Sequence, residues 1–563
     1  MVSSRVRTWV GFPLGTSGTA LFLMVAFGLM LFAASPAFAA GGACPSGANY
    51  VNPANPTGSP VTLSSLGITK CYYVSKSAGS DSNSGTSEAS PWAHLPGMPS
   101  CTGTCASAIP SGNNAAAEAT GFILKGGDTW VSTDLDVYWI WYGTAGAPVY
   151  IGVDPGWPAT GWTRPIWTCA GAACSYTANG GGFYTDWSGV QYVTLDNIEM
   201  TGLYSNSSAY PHYYVTYGSN NIAERLYVHG WSHDTAANGT YDDATALQAT
   251  TCCGGGLNDS LLFNVVDGSD TAQDSMACFP SGGVIAYSVC KYATNGVEGA
   301  ANSVHDNLFS SMVLCFVPGG CHQNAIQQQG PVGSNTNVTI YNNVITGIPS
   351  GGMVKIWTEQ SAVNNGSIVN YTFNNVLYGN QTGNDIDICQ LGTNCGTHYF
   401  FNNTFECDPN VCSAPGGGGP TTVVYWANNH CITSNSNGCF KNLGTNVTAT
   451  LTTNLTQTVS QASAQGYTPA STYAFQPTSG SGGTVGTGTN YQSYCTAIKG
   501  FDTLAGAACS NNTGYACGYN TSNHTVSCPD EFPMTARPAT WDIGGYQYSG
   551  APQPPTGLVA VAH

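Results

Sequence analysis

Lys355 stands in the phrase Gly351-Gly352-Met353-Val354-Lys355-Ile356-Trp357, and Asp385 and Asp387 follow about one repeat later in Asp385-Ile386-Asp387-Ile388. A lysine and carboxylates on one surface can move protons, and an indole beside them can stack on an apolar ring face. If both phrases are strands, alternation turns Lys355 and Trp357 to one side and Ile356 to the other. Asp387 then stacks on Lys355, with Asp385 alongside. Gln327 stacks against Trp357 from the repeat before, and Glu298 falls in that column one repeat earlier still. Lys355, Asp387 and Glu298 are the candidate catalytic residues, and Trp357, Gln327 and Gln248 the candidate substrate-binding ones. The bland alternative is a cross-strand ion pair between Lys355 and Asp387, which contributes little at a surface.

A second group is His229-Gly-Trp-Ser-His233-Asp234, followed by Tyr241-Asp242-Asp243. Paired carboxylates suit acid/base hydrolysis with acid and base on opposite sides of the bond, so Asp243 joins the catalytic candidates. Adjacent strand residues point to opposite faces, so Asp242 and Asp243 both reach one groove only from a loop. The alternative is a polar turn or a calcium-binding loop. His305 with Asp306, and His322 with Gln323, read as turn or strand-edge residues. No glycine-rich phosphate loop and no G-x-S-x-G elbow occurs.

The elements that position these residues are repeats. Asparagine-centred phrases recur as Val193-Thr-Leu-Asp-Asn197, His305-Asp-Asn307, Tyr341-Asn-Asn343, Phe373-Asn-Asn375, Phe401-Asn-Asn403 and Ala427-Asn-Asn429, the last four spaced 32, 28 and 26 residues apart. That period means stacked supersecondary units. The runs between turns are short, β-branched and aromatic, which makes each unit a coil of strands. Asparagine tolerates the left-handed backbone that a tight turn demands, and stacked asparagines can hydrogen-bond from coil to coil. A further strand per coil is expected at Tyr213–Thr216, Ala244–Ala249, Met276–Phe279, Gly296–Gly299, Asn324–Gln328, Met353–Trp357 and Asp385–Cys389. Their inward column is expected to be Val215, Leu247, Phe279, Val297, Ile326, Ile356 and Ile388. The fold class is therefore all-β, a right-handed parallel β-helix with capped ends.

Residues 1–39 read as a signal peptide: Arg5 and Arg7, an apolar run, and a cleavage site ending at Ala39. No other stretch is apolar enough to span a membrane. All 22 cysteines follow this segment, so they read as disulfides of an exported, extracellular or cell-surface protein. Close neighbours (Cys101/Cys105, Cys169/Cys174, Cys278/Cys290, Cys315/Cys321, Cys389/Cys395, Cys407/Cys412, Cys431/Cys439 and Cys517/Cys528) suggest mostly local bridges, with Cys252-Cys253 ambiguous. Charged residues make up only 7%, and without residues 1–39 ten basic residues face 29 acidic ones, a formal charge of −19. That argues against a nucleic-acid partner and favours a neutral one. The layout expected is an N-terminal capping region over 40–180, coils over 181–440, a C-terminal region over 441–550 and an exposed tail over 551–563. Thr450–Ala464 reads equally as helix or strand.

The segment Tyr72-Tyr-Val-Ser-Lys76-Ser-Ala-Gly-Ser-Asp81-Ser-Asn-Ser-Gly85-Thr, with Pro91-Trp92-Ala93 and Lys125-Gly-Gly-Asp128-Thr, resembles the entry segment of secreted bacterial pectate-lyase-like β-helix proteins. With the repeats the resemblance covers roughly residues 70–440. Trp541-Asp-Ile-Gly-Gly545-Tyr is similar to the D-I-G-A-Y-E end segment of such proteins, departing from it at Gly545 and Gln547. The resemblance implies an extended polysaccharide in the groove of the helix. Some members use a lysine base while calcium, held by aspartates, neutralises a uronate. Carried onto this chain, Lys355 would be the base and Asp385, Asp387 and Asp242 the metal ligands. Asp242-Asp243 lies about four coils, roughly 19 Å, from Lys355, so the pattern does not transfer as a set. The Gly-His-Gly and Arg-Ile-Lys motifs of polygalacturonase-type enzymes are absent. The expected function is polysaccharide cleavage, by calcium-assisted elimination ahead of hydrolysis; the alternative is a non-catalytic glycan-binding or adhesive protein.

Overall fold

The β-branched runs form strands, and each strand finds its partner one coil away. The computed structural model describes residues 41–108, 115–169, 182–186, 189–205, 212–233, 244–249, 258–270, 276–313, 324–331, 335–347, 355–358, 367–379, 385–388, 394–415, 421–442, 445–511, 514–530 and 536–548. One coil runs through Ile326–Gly330 on a first sheet, Asn337–Tyr341 on a second and Val344–Thr346 on a third. These pair in parallel with Ile356–Thr358, Val369–Phe373 and Val376–Tyr378 of the next coil, and those with Ile386–Ile388, Asn394–Phe401 and Thr404–Glu406 of the one after. A chain that returns to the same three sheets in parallel, turn after turn, is a right-handed parallel β-helix.

The coil stack is longer than 181–440. Parallel pairing already joins Lys70–Val74 to Thr120–Leu124, and it continues to Val447–Thr452 and Leu455–Gln457. The stretch expected as a separate N-terminal cap thus contributes coils itself. Its turns lack the Asn-Asn signature, so the repeat was invisible there. Thr450–Ala464 holds both alternatives, strand to Gln457 and then the helix Val459–Ala464. The segments expected as signal peptide and exposed tail lie outside the described residues.

The two asparagines of each Asn-Asn turn have different tasks. The first takes the left-handed conformation: Asn342, Asn374, Asn402 and Asn428 have φ of +53°, +56°, +54° and +52°. The second points inward and forms the ladder. The Asn343 amide nitrogen donates to the Asn375 side-chain carbonyl at 2.9 Å, Asn375 to Asn403 at 3.0 Å, and Asn403 to Asn429 at 3.0 Å. Each of these amides also donates to a backbone carbonyl, as Asn375 does to Ile340 at 2.9 Å. Each side-chain carbonyl accepts a backbone N–H from the preceding coil, as Asn375 does from Asn343 at 3.0 Å. Asn264, Ser288 and Asn307 extend the ladder to earlier coils. Asn197 belongs to the left-handed column (φ +59°) rather than to the ladder.

Inside, Tyr214 pairs with Leu247, and Phe279, Val297, Ile326, Ile356 and Ile386 continue in register. Val215 and Ile388 were expected in this column; Tyr214 and Ile386 occupy it instead. Tyr213-Tyr214-Val215 is apolar throughout and sets no phase, while Ile388 shares a face with Ile386, so the hydrophobic pattern accepts either.

Two covers lie on the outer face of the second sheet. Residues near the N-terminus, among them Tyr50, Leu63 and Ile68, pack with Tyr73, Ile123 and Tyr150. Helices Gln492–Lys499 and Thr503–Ser510, joined by Cys495–Cys509, pack on Tyr341, Phe373 and Phe401. Bridges Cys101–Cys105, Cys278–Cys290, Cys407–Cys412, Cys431–Cys439 and Cys517–Cys528 are local as expected. Cys44–Cys71, spanning 27 residues, ties the N-terminal cover to the first coil.

Replacing Asn375 by alanine removes several bonds from groups that water does not reach and should destabilise the protein by about 3 kcal/mol. The exposed Thr448→Ala change should cost less than about 0.5 kcal/mol. Urea midpoints of the two variants check this, and equal midpoints would remove the ladder from the energetics of the fold.

Candidate functional site

The outward face of the first sheet carries a column of side chains. Glu298 pairs with Gln327, Gln327 with Trp357 and Trp357 with Asp387. Strand spacing makes this column about 14 Å long. Carrying the registers Thr245↔Ala277 and Phe279↔Val297 one position and more along the strands puts Gln248 in the same column, two coils before Glu298. A neighbouring amide, itself held in place, fixes the Glu298 carboxylate. Asn295 Nδ2 donates to Glu298 Oε2 at 3.0 Å, and the Asn324 backbone N–H donates to Asn295 Oδ1 at 3.2 Å.

Lys355 and Asp387 do not stack. Lys355 Nζ donates to Asp385 Oδ1 at 2.7 Å, and Asp387 sits beside Trp357. The expected register is off by two residues there. A two-residue slip keeps every side chain on its face, so alternation alone cannot detect it. Nor is the pair a surface pair: Lys355 is 1% exposed and Asp385 fully buried. Trp357 and Gln327 are buried as well, while Glu298 and Asp387 are half-buried. A buried ion pair is a poor source of net stability, but removing one partner strands the other charge.

Among the described residues, no three His, Cys, Asp or Glu side chains gather to hold a metal. Calcium takes six to eight oxygens. Asp385 and Asp387, with the ammonium of Lys355 against Asp385, do not form such a shell by themselves. Asp242, Asp243, Asp234 and His322 lie outside the described residues.

His229 has partners that sequence reading missed. Its Nε2 lies 3.1 Å from Glu199 Oε1 and its Nδ1 2.6 Å from Asp270 Oδ2. Burial lowers its pKa, but the bonds to Glu199 and Asp270 outweigh burial and hold it above its usual value. These acids are 30 and 41 residues away, joined to His229 only by the stacking of coils. His305 is likewise an element of structure. It is buried, bonded through Nδ1 to Asp306 at 3.0 Å and stacked on Tyr341 at 4.6 Å.

A group of buried acids occupies the corner between the first and second sheets. Asp186 accepts from Thr216 Oγ1, the Tyr217 N–H and Asn221 Nδ2. Asp259 Oδ1 accepts the Asn221 N–H at 2.7 Å. Burial pushes Asp259 up to about 7, against the lowering effect of that bond, and drives Asp186 up as well. Nothing in the local sequence around either residue distinguishes it from an ordinary turn aspartate.

No protein-family model matches the chain, and no curated protein matches it. Among solved structures it is similar to pectate lyase Pel9A, at 15% identity over 86% of this chain and 98% of that one, with a TM-score of 0.38. It is also similar to the GH136 lacto-N-biosidase from Eubacterium ramulus, at 10% identity over 69% of this chain and 68% of that one, with a TM-score of 0.33.

Two outcomes follow from these contacts. Lys355→Met and Asp385→Asn should each destabilise by about 3–5 kcal/mol, and the Lys355→Met, Asp385→Leu double variant should recover most of the loss. A double-mutant cycle by chemical denaturation measures this; additive losses would mean the two charges are independent. Asp259 is protonated in the fold and ionised in the unfolded chain between the usual carboxylate range and about pH 7. Its contribution is therefore complete below that range and disappears as pH rises through 7, by up to about 4 kcal/mol. Comparing unfolding of the wild type with Asp259→Asn at pH 5 and pH 8 should show the wild type losing more; parallel losses would refute the assignment.

Proposed function

We propose that this protein is an exported enzyme that cleaves an extended polysaccharide laid along the outward face of the first sheet. The observation that supports this reading is the column Glu298–Gln327–Trp357–Asp387, which places carboxylates, an amide and an indole in consecutive coils. A polymer laid over these coils would reach the half-buried Glu298 and Asp387, with Gln327 and Trp357 buried between them. The formal charge of −19 without residues 1–39 favours a neutral glycan.

Hydrolysis fits these contacts better than elimination. A base must be free of its proton, whereas Lys355 donates to Asp385 in a buried pair. Asp385 and Asp387 lie two residues apart on one strand face, about 7 Å along the chain. That separation is in the range of acid and base in inverting glycoside hydrolysis. In this reading Asp387, the half-buried member, exchanges the proton with the glycosidic oxygen. Asp385 is fully buried and bonded to Lys355, so this reading requires the pair to open before Asp385 orients water from the opposite side. Elimination is the second reading, favoured by the presence of a lysine on the strip; there Lys355 would leave Asp385 to act as base, with calcium bound by Asp385, Asp387 and oxygens of the substrate.

The test incubates purified protein with neutral and uronate polysaccharides, with and without calcium, and follows reducing ends and ultraviolet absorbance. Reducing ends without absorbance are expected, falling about 100-fold or more in Asp387→Asn. Calcium-dependent absorbance would establish elimination instead. Cleavage that survives Asp387→Asn would move the chemistry to Glu298 or Asp242-Asp243. No product from any polymer would leave the non-catalytic, glycan-binding reading.

A further inference from the structure

The two covers on the second sheet stop short of each other. The N-terminal one ends over Leu262 and Phe263, where Val51 packs, and the helical one begins at Tyr341. Between them the outer faces of three to four coils form the floor of a groove of about 580 Å³. Pro53 and Pro56 form one wall, and Phe501 and Thr503 the other. This groove lies on the second sheet, on a different face of the coils from the column of Glu298 to Asp387.

Its lining mixes apolar side chains such as Leu262, Val284 and Leu504 with neutral polar ones. The floor and rim carry Asn258, Asn302, Asn335, Asn337, Ser260 and Ser303, and no lysine or arginine lines it. The two groups there that could carry charge near neutral pH are held in the fold. Asp502 caps its helix, accepting the Ala505 N–H at 2.9 Å, and accepts Thr339 Oγ1 at 3.2 Å. His305 is bonded to Asp306 and stacked on Tyr341. At the mouth stands Phe501, 41% exposed. No other aromatic side chain among the described residues is exposed to that degree.

An exposed ring beside amides and hydroxyls matches one class of ligand well. A pyranose offers an apolar C–H face for the ring and hydroxyls for neutral donors and acceptors. A uronate or phosphate would find no cation here, and a peptide strand would find no open sheet edge, because the floor strands are paired on both sides. The volume suits a short stretch of sugar residues. We infer that this groove is a second carbohydrate site, which holds a neutral oligosaccharide or a neutral stretch of polysaccharide without cleaving it. Such a site would keep the protein on its polymer while the first sheet works on another segment, raising the local concentration of substrate.

The experiment is calorimetric titration of the full chain carrying Asp387→Asn, so that cleavage does not interfere. The probes are neutral hexasaccharides of β-1,4-linked glucose, mannose and xylose, with hexagalacturonate as the charged control. Binding of at least one neutral hexasaccharide, with hexagalacturonate much weaker, is expected. Adding Phe501→Ala should weaken it about tenfold, a loss of about 1.4 kcal/mol, and adding the exposed Asn335→Ala should weaken it as well. Both changes are on the surface, and circular dichroism confirms that the fold persists. In the otherwise wild-type chain, Phe501→Ala should leave turnover of short soluble substrates unchanged. No binding of any neutral probe, preference for hexagalacturonate, or binding that both variants retain would overturn the inference. Because binding is read directly, it stands or falls separately from the cleavage reading.

Discussion

Everything in this molecule hangs on how a buried turn between two parallel sheets satisfies its backbone. The chain must turn from one sheet to the next within two residues there, and water cannot reach the N–H and C=O groups it exposes. A left-handed residue makes the bend, and the next residue's amide supplies the missing partners on both sides. Asn343, Asn375 and Asn403 each donate to one neighbouring coil and accept from the other. Because the amide reaches only one strand spacing, the coils that carry it are locked one to the next at this corner. The second and third sheets therefore keep a fixed register, while loops elsewhere on the coil are free to vary in length.

The outer asparagines use the same turn differently. Their side chains face away from the core and grip the C-terminal segment. Asn402 donates to the Asp542 carbonyl at 2.8 Å, Asn428 to the Thr489 carbonyl at 2.7 Å, and Asn374 accepts from Arg537 at 2.8 Å. Gly545 donates its N–H to Thr404 Oγ1 at 3.0 Å. One dipeptide thus holds the coils together from within and secures the end of the chain from without. Arg164 does the same for the terminal hairpin, bonding Asn197 on the coil and the carbonyls of Asn523 and His524.

The first sheet follows a looser rule. Its strands are entered through loops of unequal length, and among the described residues no continuous asparagine ladder ties them. This is where the column of Glu298, Gln327, Trp357 and Asp387 sits, and where Lys355 and Asp385 are buried together. A solenoid separates the two demands in space: the periodic corner carries stability, and the aperiodic side carries chemistry. With charged residues only 7% of the chain, surfaces are finished largely with amides, hydroxyls and rings.

The sequence alone determined the β-helix, the asparagine turns, the local pattern of several disulfides and the side-by-side placement of Glu298, Gln327 and Trp357. Each of these follows from a short-range pattern: a period, an alternation, or a residue type that one backbone geometry requires. Tertiary structure decided the rest. It paired Lys355 with Asp385 rather than Asp387, because a two-residue slip leaves alternation intact. It moved the first coil back to Lys70, because the turns that follow Lys70–Val74, Thr120–Leu124 and Val149–Val153 carry no Asn-Asn pair. It joined Glu199 and Asp270 to His229 and set Asp186 near Asp259, contacts between residues tens of positions apart that exist only once the coils stack. It also left a groove between two covers whose lengths no repeat encodes. Local sequence writes the period of a solenoid, while contacts between coils depend on loop lengths that the period does not contain.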